Sequence, residues 1–594
     1  MKKILLTILI LILFIPFMIN AEELNLEWQK SWGGNSHDEF YDILQTQDGG
    51  FIVYGYSYST DIEGLPNKGG DDAIIVKYDK DGNMLWQKSW GGNKTDQLYG
   101  ILETQDGGFI VYGYSDSTDI EGLPNKGGDD AIIVKYDKDG NMLWQNSWGG
   151  GFSEYFSDVL QTQDGGFIVS GYSYSENIEG LPNKGWADAI IVKYDKDGNL
   201  LWQKSWGGND SDTFFDILQT QDDGFIVSGD FNSTDIEELP NKGSYDAIIV
   251  KYDKDGNLLW QKSWGGKSHD TFSDILQNQD GGFIVYGYSY STDIEGLPNK
   301  GGDDAIIVKY DKDGNLLWQK SWGGNGSDNF YDVLQTEDGG FITYGNSSSY
   351  DIEGITNQSW FDGIIVKYDK NGNMLWQTSY GDQSENRVSS LVVGHNGNLI
   401  ACIESYFIDE GEYYNGDEDV IIISYDKNGN MLWQKNWDGG NADIPKKILL
   451  TDDNGFIVID NIIEDNTFDR NIFLLKYSIE YDLENITTDN GTSTAVQQGS
   501  KGIITPTPNE GYEVDTIMIK NKNGEVLDLE VTKLEDGTYS FELYTDVSIE
   551  VTFKEKIDNP KTGIIDIFTT LLVGLIISLS GFILVKNYNE RLEV

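Results

Sequence analysis

Eight positions one repeat apart carry the residues best suited to hard-cation chemistry: Asp38, Asp96, Glu154, Asp212, Asp270, Asp328, Asn386 and Asp443. All but Asn386 are carboxylates, and oxygen ligands gathered at one place are what calcium requires. Ringed about a common axis, the seven acids form a candidate metal site, with calcium as the cofactor. The competing reading is that each carboxylate caps its own turn or ties one repeat to the next, because a residue present in nearly every copy is first suspected of a structural role. Crowded carboxylates need neutralising in either case.

Other chemistries are thinly represented. His37, His269 and His395 are too few and too scattered for a metal cluster or a shared general base. No Gly-Xaa-Ser-Xaa-Gly elbow, phosphate loop or His-Glu-Xaa-Xaa-His motif occurs. Asp79-Lys80-Asp81-Gly82-Asn83 has the flavour of a calcium loop, yet Trp86-Gln87-Lys88 stand where such a loop needs its glutamate, so it reads as a hairpin turn. The expectation is a protein with no catalytic residues and no enzyme activity.

The elements that must position these groups repeat with the string Leu-Trp-Gln-Lys-Ser-Trp-Gly-Gly. Its first tryptophan falls at Trp28, Trp86, Trp144, Trp202, Trp260, Trp318, Trp376 and Trp433, at intervals of 58 residues and finally 57. A period of this size, strand-rich within, marks a toroidal array. Within one unit, 41–46 and 51–56 read as a hairpin across Asp48-Gly49-Gly50, and 73–78 and 84–90 as a second across Asp81-Gly82-Asn83. The runs Phe51 to Tyr54 and Ala73 to Val76 barely alternate, so both faces need cover. Four-stranded antiparallel sheets stacked round an axis supply it. The strand from Leu24 to Trp32 lacks a preceding partner, and 471–477 lacks a following tryptophan strand. Pairing the two closes an eighth blade. The fold class is therefore all-β, an eight-bladed β-propeller closed by its N-terminal strand. Cys402, the one cysteine, lies in an apolar run and reads as a buried strand residue. The copies share a loop, 61–72, whose near-identity points to repeated presentation of one surface to a multivalent ligand.

The Tyr-Asp-Lys-Asp-Gly-Asn-Met-Leu-Trp-Gln-Lys-Ser-Trp-Gly-Gly unit is similar to the tryptophan-docking segment of quinoprotein-like propellers, a resemblance that implies interblade packing by tryptophan. Asn559-Pro560-Lys561-Thr562-Gly563, an apolar span at 564–585 and a short tail at 586–594 resemble the sorting signal of Gram-positive surface proteins. That resemblance implies sortase cleavage between Thr562 and Gly563 and joining to peptidoglycan. It departs from the family in Asn559, where leucine is usual, and in Glu590 and Glu593 of the tail. Residues 1–21 carry the charged start and apolar run of a signal peptide, and 564–585 is long enough for one C-terminal transmembrane helix. Residues 479–557 read as a small all-β module, and its segments 506–514 and 546–553 look like extracellular bacterial repeat modules. A propeller at 22–478 and a linker with the sortase motif at 558–563 complete the organisation. The net charge of −56 disfavours nucleic acid and anionic surfaces. The sequence thus predicts a monomeric, cell-surface adhesion protein for an extracellular protein or glycan, the alternatives being a secreted quinoprotein-type or carbohydrate-active enzyme or a ligand-free wall protein.

Overall fold

The computed structural model describes residues 23–556 with short interruptions, the longest at 464–469, 415–419, 438–441 and 522–525. The signal peptide, the pentapeptide at 559–563, the 564–585 span and His395 lie outside the described residues. Among the described residues no helix is long and apolar enough to cross a membrane. The chain divides into two units, the first mainly residues up to Asp482 and the second mainly residues from Leu483 onward.

Eight antiparallel sheets build the first unit. In blade 1 the strands are Asp38–Gln45, Phe51–Ser57, Asp72–Tyr78 and Met84–Trp90, paired in chain order. The expected hairpins are thus present, each strand within a few residues of its expected limits. Blade 8 is composite: Glu23–Trp32 pairs antiparallel with Arg470–Glu480, with Leu24 opposite Ile479 and Trp32 opposite Ile472. The N-terminal strand therefore closes the ring as the orphan tryptophan strand required. Blade 7 has an added short strand, Glu412–Tyr414, beside Leu399–Asp409.

The second and third strands are buried along their whole length in most blades. Each apolar core is shared between neighbouring blades: Val53, Ile74 and Val76 of blade 1 pack with Ile457, Ile459 and Leu474 of blade 8. Cys402 is fully buried in the layer between blades 7 and 8, where burial pushes its thiol far up.

Tryptophan joins each blade to the next in two ways. The first indole of the repeat presses on the glycine of the following blade's last turn: Trp28 on Gly82, Trp86 on Gly140, Trp144 on Gly198 and onward to Trp376 on Gly429. A Cβ on those glycines would stand 2.7 to 3.0 Å from the ring, so only glycine fits. The second indole donates to the next blade's glutamine, as in Trp32 Nε1 to Gln87 Oε1 at 2.9 Å and Trp148 Nε1 to Gln203 Oε1 at 2.8 Å. Blade 6 has Tyr380 instead, whose hydroxyl accepts from Gln434 at 3.2 Å. Inside every blade but the seventh, where Ser424 takes its place, a buried lysine ties the third strand to the first hairpin turn. Lys77 Nζ meets Asp48 at 2.8 Å and Lys135 meets Asp106 at 2.9 Å.

The second unit is all-β, as expected. One sheet sets Leu483–Ile486 parallel to Val547–Glu555, which also pairs with Tyr512–Asn521. The other orders Gly491–Gln498, Lys501–Pro508, Tyr539–Glu542 and Thr532–Lys533. Gly491–Gln498, whose Thr, Ser and Gln residues hide any apolar pattern, and the two-residue Thr532–Lys533 are strands that composition does not announce.

Gly140 and Gly122 both have positive φ, +74 and +79, but only Gly140 touches an indole. Alanine at either should cost about 1–2 kcal/mol for the left-handed backbone. Gly140→Ala should lose roughly a further 1–3 kcal/mol from overpacking against Trp86. Urea-midpoint measurements on the two variants would show this gap; equal losses would mean that the indole does not bear on that turn.

Candidate functional site

The seven carboxylates expected to form a ring are sealed inside the protein. Asp38, Asp96, Glu154, Asp212, Asp270 and Asp328 are 0% exposed. Each accepts from the backbone N–H of the second glycine in the preceding Trp-Gly-Gly, at 2.6 to 2.9 Å. A serine hydroxyl from beyond the second strand adds a bond: Ser59 to Asp38 at 2.8 Å, Ser117 to Asp96 at 2.7 Å, Ser233 to Asp212 at 2.6 Å. Asn386 is equally buried, and Asp443 lies against Asp460, whose own carboxyl is driven well up by burial and then by Asp443. These groups fasten the tryptophan segment to the start of the next blade. Burial raises their pKa values against the serine and glycine bonds, Asp212 to about 6.

The carboxylates that do face the axis come from four residues further on: Asp42, Asp158, Asp216, Asp274 and Asp332. A β-bulge after the third residue of each first strand, between Phe40 and Asp42 in blade 1, reverses the side-chain phase. The first strands of adjacent blades lie side by side, and charges reach across them. Asp42 of blade 1 faces Lys447 of blade 8 at 3.9 Å and feels Asp332 of blade 6. Asp158, Asp216 and Asp274 of blades 3 to 5 hydrogen-bond in series. Burial first, then the neighbouring carboxylate, pushes Asp274 up to about 8, and burial with Asp158 lifts Asp216 to about 7. Tyr286 donates to Asp274 at 3.1 Å, and Tyr344 to Asp332 at 3.3 Å. The set is a belt that shares protons. Among the described residues no group of three His, Cys, Asp or Glu side chains is placed to hold a metal ion.

The loop at 61–72 is committed inward. Asp61 accepts from Asn35 N–H at 2.8 Å, Leu65 is buried, Asn67 donates to the Ser57 and Gly70 carbonyls, and Lys68 reaches the Gly91 carbonyl at 3.1 Å. Little beyond its Glu63-Gly64 tip is free for a ligand. The Asp79 turn is a hairpin, with Asp79 Oδ1 accepting from Asp81 and Asn83 N–H at 2.9 and 2.8 Å. His37 bonds Tyr56 at 3.0 Å and His269 bonds Thr271 at 2.8 Å.

Aromatic side chains make a surface at blades 2 and 3 that only partly follows the repeat: Tyr114 and Tyr172 share a column with Tyr56 and Tyr288, whereas Phe152 and Tyr155 do not recur. Tyr99 and Tyr114 of blade 2 meet Tyr155, Tyr172 and Tyr174 of blade 3, with successive ring centroids 5.3 to 5.8 Å apart. With Phe152, Ser153, Glu176 and Trp186 they line a cavity of about 810 Å³. Phe152 and Trp186 are 59% and 75% exposed, which is unusual for large apolar groups. Tyr155 donates its hydroxyl to Asp129. Burial, with Asp71 and Asp129 nearby, raises Tyr114 to about 12, so its ring is a neutral phenol at physiological pH. The sequence held a signal for this site. Blade 3 has Phe152, Tyr155 and Trp186 where blade 1 has Ser36, Glu39 and Gly70.

The axial belt carries a pH dependence with a definite sign. A carboxylate whose folded pKa is raised contributes stability fully below its unfolded value near 4 and loses it as pH rises through the folded value. For Asp216 and Asp274 the loss spans about pH 4 to 8. Asp274→Asn, which keeps the uncharged form, should leave the melting temperature near pH 4 little changed and raise it increasingly from pH 6 to 9. A constant offset across pH would sink the assignment.

The central repeats, residues 187–402 from blade 3 into blade 7, match the family model described as outer membrane protein assembly factor BamB. The match supports the quinoprotein-like propeller repeat expected from the tryptophan spacing. The chain is 25% identical over 235 residues to the regulatory protein FlaEY of Caulobacter vibrioides, covering 34% of this chain and 24% of that protein. It is 22% identical over 390 residues to an uncharacterized WD repeat-containing protein of Acanthamoeba polyphaga mimivirus, 50% of this chain and 28% of that one. It thus spans only about a quarter of these curated relatives. Among solved structures it is similar to the polysaccharide lyase Uly1, with a TM-score of 0.35, 10% identity and coverage of 77% and 100% of the two chains. Puromycin hydrolase also matches, at a TM-score of 0.35, 11% identity and 72% and 58% coverage.

Proposed function

We propose that this chain is a monomeric cell-surface binding protein whose propeller captures an extracellular protein or glycan ligand through the aromatic cavity of blades 2 and 3. The carrying observation is convergence. Phe152, Tyr155 and Trp186 are separate departures from a strongly repeated sequence, and all three line one concave surface. Independent drift has no reason to gather aromatic residues from two separate segments in one place. The net charge of −56 argues against nucleic acid as the partner. Export by the N-terminal segment, sortase processing at Asn559, Pro560, Lys561, Thr562 and Gly563, and linkage to peptidoglycan are part of the same reading, with 564–585 holding the chain in the membrane until cleavage.

Replacing Phe152, Tyr155 and Trp186 together by alanine should abolish adhesion of cells displaying the chain to matrix or glycan surfaces, with the melting temperature kept within a few degrees. Undiminished adhesion would refute the reading. Anchoring has its own test: Pro560→Ala should move the chain from the wall fraction to the membrane fraction, and retention in the wall would remove the sorting signal from the account.

A further inference from the structure

The aromatic cavity has features that select among ligand classes, and this step rests on the binding role proposed for it. Its rings do not form a flat platform. Tyr114 and Tyr155 meet at 72° and Tyr172 and Tyr174 at 84°, while Tyr155 and Tyr172 meet at 38°. Neighbouring rings turned through such angles line a concave surface instead of paving a plane. The Trp186 indole, three-quarters exposed, belongs to the same lining.

The charges about this volume have one sign. Glu176 is in the lining, and Asp129 is held against it by the Tyr155 hydroxyl. No basic side chain is among the lining residues. The neighbouring lysines are engaged elsewhere: Lys184 Nζ donates to the Gly207 carbonyl at 3.0 Å and Lys94 Nζ pairs with Asp116 at 3.0 Å. A concave set of aromatic rings with carboxylates and no cation is chemistry that suits an organic cation, because the ring quadrupole and the carboxylates attract the same charge. A sugar's hydroxyl groups would call instead for donors and acceptors fixed around a stacking plane, and an anionic ligand would be repelled.

We infer that the cavity lined by Tyr99, Tyr114, Tyr155, Tyr172, Tyr174 and Trp186 binds an alkylated ammonium group, with Glu176 and Asp129 as its counter-charges. The N-methyl groups lie against the rings, and the positive charge faces the acidic side.

The purified full-length chain can be titrated with choline, with its uncharged isostere 3,3-dimethylbutan-1-ol and with an N-acetylglucosamine oligosaccharide, following Trp fluorescence and heat. Choline should bind several-fold more tightly than the isostere, as a cation over partly exposed rings does. Trp186→Ala and, separately, Glu176→Gln should each weaken choline several-fold, while Trp360→Ala, at an exposed indole of blade 6, should leave it unchanged. Equal binding of choline and the isostere would overturn the cation assignment. So would binding of the oligosaccharide alone, which would leave the adhesion role standing. Failure of all three probes overturns the cation assignment as well, and the adhesion of the triple alanine variant then decides the wider reading separately.

Discussion

The contact on which the rest depends is an indole lying on a glycine across a blade boundary. Each sheet is apolar on both faces and cannot be stable alone, so the propeller exists only as a sum of interfaces. Trp86 on Gly140, with Trp90 reaching Gln145 at 2.9 Å, fixes both the distance and the rotation between neighbouring blades. The same pair of contacts, Trp28 on Gly82 and Trp32 to Gln87, joins the composite eighth blade to the first, while the chain ends themselves meet in the Glu23–Trp32 and Arg470–Glu480 strand pair. Closure of the ring therefore combines indole docking with backbone pairing inside one blade.

That geometry has an electrostatic consequence. Fastening the Trp-Gly-Gly segment to the next blade takes a carboxylate at its N–H groups, and Asp38, Asp96 and their equivalents do this without a cation beside them. A second acid, Asp72 or its counterpart, lies at the same junction: a Cβ on Gly91 would stand within 3 Å of both Asp72 and Asp96. Burial, with Asp96 a smaller contributor, raises Asp72 to about 6. The hairpin-turn acids run the other way. Burial pushes Asp48 up, but the Lys77 and Thr46 bonds prevail and bring it to about 2. The first set favours acid solution and the second opposes it only below about pH 4, so the balance tilts the chain toward mildly acidic conditions. A core whose every interface repeats one motif also repeats that motif's cost.

The frame was readable because its determinants are local or periodic. Asp81-Gly82 sets a turn, Phe51 to Tyr54 needs cover on both faces, and Trp28 is an orphan strand in search of a partner. The axial carboxylates were not readable, because alternation counted from Asp38 puts Asp42 in the same phase, whereas the bulge between Phe40 and Asp42 swings one inward and the other to the axis. The loop at 61–72 misled for a related reason. Its polar composition suggests solvent, but Asp61, Asn67 and Lys68 spend their polar groups on neighbouring backbone. Composition does not say which way a polar side chain turns.

The aromatic cavity illustrates how a repeat protein reveals a site. In a unique fold, Tyr155 or Trp186 would be one aromatic among many. Here Tyr155 stands in a column with Glu39, Gln97 and Thr213, and Trp186 in one with Gly70, Gly128, Ser244 and Gly302, its indole repeated at Trp360 of blade 6. Structural roles are already satisfied at those positions by small or polar residues, so packing does not require a tyrosine or tryptophan. Exposed indole and phenyl surface also costs solubility, which a purely structural ring would have no reason to bear. The docking motif thus frames the proposed site by contrast: it fixes what nearly every blade must have, and the proposed ligand would sit on what blade 3 has in addition.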